Sequence, residues 1–386
     1  MTKYKLALSF ELVRKYLFIL VLLFMCWSTC FAASPKYAED WGFFWNKIEL
    51  AYPMLPFLEK QGVSVTVLKE DSWNEIQSCT DDDSFLRVMR KVCAKMQGIN
   101  HLRIMDSEEL QRLMGPYLDI RRKEGKELFF DDLGVTSTED KAEVASIRCS
   151  YISDSQIILI QIPAFSIEHM EADKKVLGSF LSEHSEATSI IFDVSSNTGG
   201  YGFYWQEVIL PFFGGIWVDS VDVFFKDKDE VLVQFATGDF SEEDIKSVEV
   251  LSDKPEFVIE YGLNWFYTSI ISFDFGEGIL PNADRFIITS ALTYSSADAF
   301  AAFARRTGWA TLVGDPTGGS GDGDSLYYVL PNTHFVLRFS PFVSSNTSGM
   351  ANSAYGTIPN IPTARKSTPI RTCFDMIQAS YAKTGV

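Results

Sequence analysis

Histidine is scarce in this chain, with four in 386 residues, and so is cysteine, with six. The cysteines are widely spaced, and neither they nor the histidines cluster at the short intervals that a zinc site needs. No metal or other cofactor is therefore expected. Positive charge is also short: 34 lysines and arginines face 51 aspartates and glutamates, for a net charge of −17. That balance excludes nucleic acid and an anionic membrane surface as partners. The glycine-rich stretch Gly318-Gly-Ser-Gly321 has no Gly-Lys-Ser/Thr after it, so it is not a phosphate loop. Asp322-Gly-Asp324 offers too few oxygens for calcium. The longest apolar run, Tyr16–Trp27, falls short of the roughly 20 residues of a membrane span.

What is present begins with a leader. Lys3, Lys5, Arg14 and Lys15 precede that apolar run, and small residues follow up to Ala32-Ala33-Ser34, the order of a secretory signal peptide. Cleavage after Ala32 is expected, giving a secreted or periplasmic protein with no stable membrane anchor. A lipoprotein reading through Cys30 is weaker, because Trp27-Ser-Thr-Cys30 lacks the usual aliphatic residue and small pair. The leader removes more base than acid, so the exported part carries about −20. Four cysteines remain, Cys79, Cys93, Cys149 and Cys373, and an oxidising compartment would allow up to two disulfides in any of three pairings.

Helical spacing from Asp40 to Leu58 is broken by Pro53 and Pro56, and Thr80-Asp-Asp-Asp83 reads as the start of a helix running to Met96. Gly98 is the expected stop, which puts His101 on the loop into a strand. Residues 156–163 and 188–193 read as strands around a helix ending near Glu183, a βαβ unit with a parallel sheet. Residues 217–275 alternate apolar and charged positions and read as an insertion able to wall a substrate site. A hairpin is expected over 327–340, and a last helix from Pro369 to about Ala382.

Two places have the residue types that chemistry needs. Asp193-Val-Ser-Ser-Asn-Thr-Gly-Gly200 lies just past the carboxyl end of a parallel strand, where an α/β sheet holds ligands; a tight turn needing positive φ would use the same glycines. Ser295 stands between the strand 285–290 and a helix with Ala and Phe on its inward face. A serine there is either a helix N-cap or a nucleophile served by the free amides of the helix start.

Taken in order, the histidine loop, Asp-x-x-x-Asn-x-Gly-Gly, Thr-x-Ser-Ser-Ala-Asp-x-Phe-Ala and Val-Gly-Asp-Pro-Thr-Gly-Gly resemble the tail-specific, or C-terminal processing, serine peptidases, with their tricorn-core and retinoid-binding-protein branches. The resemblance runs from about Trp41 to Pro362. It implies an α/β fold with a crotonase-like ββα-type peptidase core, an N-terminal helical domain and no clear PDZ module, since the stretch from His101 to the 156 strand is too short for one. The domains expected are a signal peptide over 1–32, helices over 33–105 with His101, a linker or small subdomain over 106–154, the protease core over 155–365 with its 217–275 insertion, and a C-terminal helix over 366–386.

The resemblance also implies roles: Ser295 as nucleophile, His101 as base, Gly199 and Ser296 as oxyanion-hole amides, and Gly200, Gly318 and Gly319 along a polypeptide substrate. An imidazole with an ordinary pKa of about 6.5 would suit the base. Two departures stand out. The lysine of the processing branch is replaced by Ser320, a hydroxyl with no proton-accepting power near neutral pH. The glutamate that orients the histidine in the other branch falls near Ser353, with Asn360 for the tail aspartate, so the third triad member is missing. The function implied is an exported serine endopeptidase; the alternative is a catalytically impaired relative that binds peptides or an apolar ligand.

Overall fold

A computed structural model describes residues 34–118, 134–136, 144–235, 242–364 and 367–384. The expected signal peptide lies outside the described residues. Among those described, no helix is long and apolar enough to cross a membrane.

Four helices open the described chain: α1 (Pro35–Ala51), α2 (Leu55–Lys60), α3 (Val65–Ile76) and α4 (Asp82–Lys95). Pro53, which has no N–H and disfavours helix in the residue before it, separates α1 from α2. Asp81 caps α4, its carboxylate accepting from Ser84 N–H at 2.8 Å in a reciprocal capping box. The acidic cluster is thus a helix start, and α4 turns Phe85, Leu86, Met89, Val92 and Cys93 inward.

After α4 the short strand β1 (Arg103–Met105) pairs antiparallel with a much later strand, which anchors the histidine loop to the far half of the chain. Helix α5 (Ser107–Met114) follows. Next come β2 (Arg148–Ile152), β3 (Ile157–Gln161), α6 (Met170–Glu183), β4 (Ser189–Asp193) and α7 (Tyr204–Val208). The segment expected to be an insertion holds β5 (Ile216–Phe225), α8 (Lys228–Phe235), β6 (Lys246–Ser247), α9 (Glu256–Glu260) and β7 (Trp265–Asp274). The chain then runs through β8 (Asp284–Thr289), α10 (Ser296–Thr307), β9 (Thr311–Gly314), β10 (Leu326–Val329), β11 (Val336–Phe339) and β12 (Val343–Ser344). It closes with α11 (Asn352–Tyr355), β13 (Ile361–Pro362) and α12 (Pro369–Thr384).

Three sheets result. The largest has the order β13-β9-β8-β4-β3-β2, parallel except for β2, with Phe192 opposite Ile287 and Ile287 opposite Leu312 in its buried centre. Its strands are nearly continuous in Ile, Val and Phe because both faces are covered: α10 and α6 on one, α12 with Cys373 and Ile377 on the other. The second, β12-β5-β7-β6, is built on ten facing pairs between β5 and β7. The third is β1-β11-β10. The N-terminal helices share one core with Phe224, Phe266, Leu337 and Phe339 from the later sheets.

The four cysteines are all free, which corrects the expectation of up to two disulfides. Cys79 and Cys93 pack on the core of the N-terminal helices, and Cys149 and Cys373 on the cores at opposite faces of the large sheet; burial raises the thiol pKa of Cys93 and Cys373 to about 12 and of Cys149 to about 11.

Candidate active site

The turn from β8 to α10 crosses the carboxyl edge of the parallel sheet, the edge where α/β sheets place ligands. Both flanking loops hold it. Thr293 Oγ1 donates to Val194 C=O at 2.9 Å, and Tyr294 N–H donates to Asn197 C=O at 3.1 Å. On the other side Ser295 N–H donates to Gly319 C=O at 3.0 Å, and Gly318 N–H to Thr293 C=O at 2.8 Å.

Ser295 has φ 58° and ψ −128° at the start of α10. A non-glycine residue in that region costs on the order of 1–3 kcal/mol, and surrounding structure must hold it there. Its hydroxyl caps nothing: no helix amide is bonded to it. The N-cap reading of this serine is thereby removed.

The glycine pair explains itself by contact. A Cβ on Gly199 would lie 2.8 Å from Ser295 Cβ and 3.1 Å from Ser296 N, and one on Gly200 would lie 2.2 Å from Phe165 C=O. With φ of 98° and 139°, both positions demand glycine. Their amides differ. Gly199 N–H donates to Asn197 Oδ1 at 2.8 Å, whereas the amides of Gly200 and Ser296 have no acceptor among the described residues. Of the two glycine amides beside Ser295, the one open to a ligand in this structure is that of Gly200, whereas Gly199, expected as an oxyanion donor, has its amide bonded to Asn197. Ser296 Oγ is also buried without a partner.

A carboxylate that the sequence reading left without a role holds this region together. Asp298, fully buried in the first turn of α10, accepts from Thr317 Oγ1 (2.5 Å), Thr357 Oγ1 (2.7 Å), Asn352 Nδ2 (2.6 Å) and Gly321 N–H (3.1 Å). Burial nonetheless raises its pKa. Its place three residues after Ser295, on the buried face of α10, is the signal that could have singled it out.

Gly318 and Gly319 line neither cavity of the site. Each has backbone where a Cβ would go: Ala291 C=O at 2.6 Å for Gly318, Asn352 C=O at 2.3 Å for Gly319. They clamp the Ser295 turn, and this backbone contact is what the structure shows for two positions expected along the substrate.

His101 arrives on a loop of left-handed residues: Gln97, Gly98, Asn100 and His101 all have φ between 51° and 61°. Asn100 tolerates that region and is tied down, its Nδ2 donating to Phe342 C=O (3.0 Å), its N–H to Ser320 Oγ (3.2 Å), and its Oδ1 accepting from Ser320 Oγ (3.1 Å). The imidazole meets the Tyr294 ring edge-on, centroids 5.1 Å apart, and His101 N–H donates to Tyr294 Oη at 3.3 Å. Burial first, then the guanidinium groups of Arg338 and Arg103, lower the imidazole pKa to about 3; the Ser320 backbone acts the other way. Among the described residues no carboxylate is bonded to the ring. Ser353, at the place of the missing glutamate, donates to buried Asp322 at 2.8 Å, and Asn360 Oδ1 accepts from Leu312 N–H in the sheet.

Ser295 and His101 face the same two cavities, and no hydrogen bond joins them here. One cavity, about 320 Å³, lies between α10 and the β5–β7 hairpin, walled by Val221, Val223, Tyr267, Ile271 and Phe303, with Arg306 paired bidentately to Asp219 at 2.8 and 2.7 Å. The other, about 420 Å³, is lined by Gly199 and Gly200 and by Arg103, Met114, Tyr117 and Tyr201. Among the described residues no group of three or more acidic, histidine or cysteine side chains could hold a metal ion.

The fold is that of a mixed α/β peptidase with a parallel-sheet core. Residues 156–363 match the profile of Peptidase family S41, and the chain belongs to that family. Solved structures agree in fold. A candidate peptidase from Parabacteroides merdae is 16% identical with a TM-score of 0.59, covering 89% of this chain and 97% of its own. Mature CPAF is 10% identical with a TM-score of 0.52, covering 90% and 97%. A lipoprotein from Streptococcus agalactiae is 14% identical with a TM-score of 0.50, covering 90% and 98%. No curated protein sequence matches the chain.

Proposed function

We propose that the protein is an exported serine endopeptidase that cleaves polypeptide substrates with Ser295 as nucleophile and His101 as base. The observation that carries this reading is the conformation of Ser295: strained, uncapped, pressed against the Gly199 backbone and open to the cavities that His101 lines. In the reaction Ser295 Oγ attacks the scissile carbonyl carbon as its proton passes to the imidazole. The amides of Ser296 and Gly200 receive the oxyanion. The imidazolium then gives the proton to the leaving amine, and water releases the acyl group by the same steps in reverse order. The apolar wall from the 217–275 segment suits an apolar side chain beside the cleaved bond.

A second reading, an impaired relative that binds peptides or an apolar ligand, has its own support: among the described residues no carboxylate pairs with His101, and burial with two nearby guanidinium groups lowers its pKa. A fluorophosphonate separates the two, because phosphonylation needs an activated hydroxyl and an oxyanion hole together. Wild-type protein is expected to be labelled at Ser295 and to cleave an unfolded protein substrate. Folded protein with neither labelling over hours nor cleavage would leave only the binding reading.

A further inference from the structure

Two arginines meet beside the nucleophile. Arg338 of β11 is the direct cross-strand partner of Arg103 of β1, and both line the cavity of about 420 Å³ with Ser295 and His101; Arg338 lines the other cavity as well. Like charges placed opposite one another on antiparallel strands repel, so the pairing costs stability unless something negative joins it. Arg103 finds only a distant partner, Glu109 Oε1 at 3.7 Å, and Glu109 is already bonded to Arg90 at 2.9 Å. Arg338 has less: its Nε donates to Ser325 Oγ at 3.0 Å and its guanidinium lies 5.7 Å from the Tyr327 ring centroid. Among the described residues no carboxylate comes within ion-pair distance of it. Ser325 and Tyr327 thus fix the plane of the fork while its two terminal nitrogens stay open. Such a held, planar pair of donors is the shape that takes a carboxylate through two parallel hydrogen bonds.

We propose that Arg338, with Arg103 beside it, binds the side-chain carboxylate of a substrate aspartate or glutamate near the bond cleaved at Ser295. The inference deepens the peptidase reading but rests on it only for the identity of the ligand as a peptide. It also answers the missing triad acid. The two cations that disfavour the imidazolium would be countered by the substrate's own anion, so that only a carboxylate-bearing peptide brings His101 a compensating charge.

Binding tests this apart from catalysis. In the Ser295→Ala protein, fluorescence anisotropy would be read for two pairs of labelled peptides of one sequence. One pair differs only in a free against an amidated C-terminus; the other, amidated throughout, differs in glutamate against glutamine. The glutamate peptide is expected to bind about tenfold tighter than its glutamine counterpart. Arg338→Met should bring that ratio close to one and Arg338→Lys should keep part of it, with thermal unfolding confirming that each variant is folded. Equal affinities of the glutamate and glutamine peptides, a preference confined to the free C-terminus, no binding of any peptide, or a ratio that survives Arg338→Met would overturn the proposal. Failure of the peptidase reading is seen separately, as wild-type protein that discriminates carboxylates yet is not labelled by the fluorophosphonate.

Discussion

The Ser295 turn and the His101 loop, proposed as nucleophile turn and base loop, are built to different standards. Around Ser295 the restraints are redundant: backbone bonds to Asn197 and Gly319, glycine packing on its Cβ, and Asp298 gathering four donors beneath it. Around His101 there is one anchor of comparable quality, Asn100, and the electrostatics run against a positive ring. A strained residue persists only where its surroundings over-determine it, and the turn meets that condition more fully than the loop does. The lesson is that the placement of Ser295 is fixed by redundant contacts, whereas the His101 ring is held by few and faces two guanidinium groups.

That contrast can be broken by substitution. Ser295→Ala should abolish fluorophosphonate labelling and lower kcat/KM by at least about 10⁴-fold. His101→Gln should cost less, about 10²- to 10³-fold, because a ring held near pKa 3 takes the proton poorly even in the wild type. Equal losses would show His101 to be as fully engaged as in a complete triad and would erase the difference drawn between the two regions.

Asp298→Ala attacks the redundancy itself. It strands the side-chain donors of Thr317, Thr357 and Asn352 in the interior, so unfolding free energy in urea should drop by about 3–5 kcal/mol. A loss under about 1 kcal/mol would mean that water or relaxation satisfies those groups and that the turn does not depend on Asp298.

Protonation sharpens the comparison further. His101 titrates near 6.5 in the unfolded chain and near 3 when folded, so between those values the unfolded state binds the extra proton. Its contribution to stability is therefore constant above about pH 6.5 and is lost progressively as pH falls from 6.5 toward 3. Asp298 and Asp322, with raised pKa values, act with the opposite sign in acid, so the difference between wild type and His101→Gln isolates the histidine. The labelling rate should also be flat from pH 6 to 8, in place of the rise near 6.5 that an ordinary imidazole would give. A midpoint near 6.5 in the rate would place the ring in water and cancel the argument.

Much of this was legible in the residues. The strands at 157–161, 189–193 and 284–289, the capped start of α4 and the hairpin around Pro331-Asn-Thr follow from local periodicity and turn chemistry, and the family followed from the order of four motifs. What escaped depends on distant neighbours. Arg338 reads as an ordinary charged position on a hairpin until β1, 235 residues earlier, sets Arg103 against it. Gly318 and Gly319 read as a ligand loop because glycine allows close approach, and only the fold reveals that what approaches is the backbone at Ala291 and Asn352. The free thiols of Cys149 and Cys373 are of the same kind, since their places on opposite faces of the large sheet cannot be read from spacing.

The smallest effect belongs to Ser320, which stands where a relative has its lysine base. Its hydroxyl cannot take a proton near neutral pH, but it is buried and bonded twice to Asn100, once as acceptor and once as donor. Ser320→Ala leaves the Asn100 N–H without an acceptor and its Oδ1 without that donor, while the bonds from Asn100 Nδ2 to the backbone of Ser340 and Phe342 remain. The expected loss is about 1–2 kcal/mol in stability and a few-fold in kcat/KM, the latter through a less firmly held His101. Since the ring pKa owes little to the hydroxyl, the flat pH dependence of labelling should persist in the variant. If Ser320→Ala instead matched Ser295→Ala in depth, the serine would have a direct part in the chemistry, and the base loop would be as rigidly specified as the nucleophile turn.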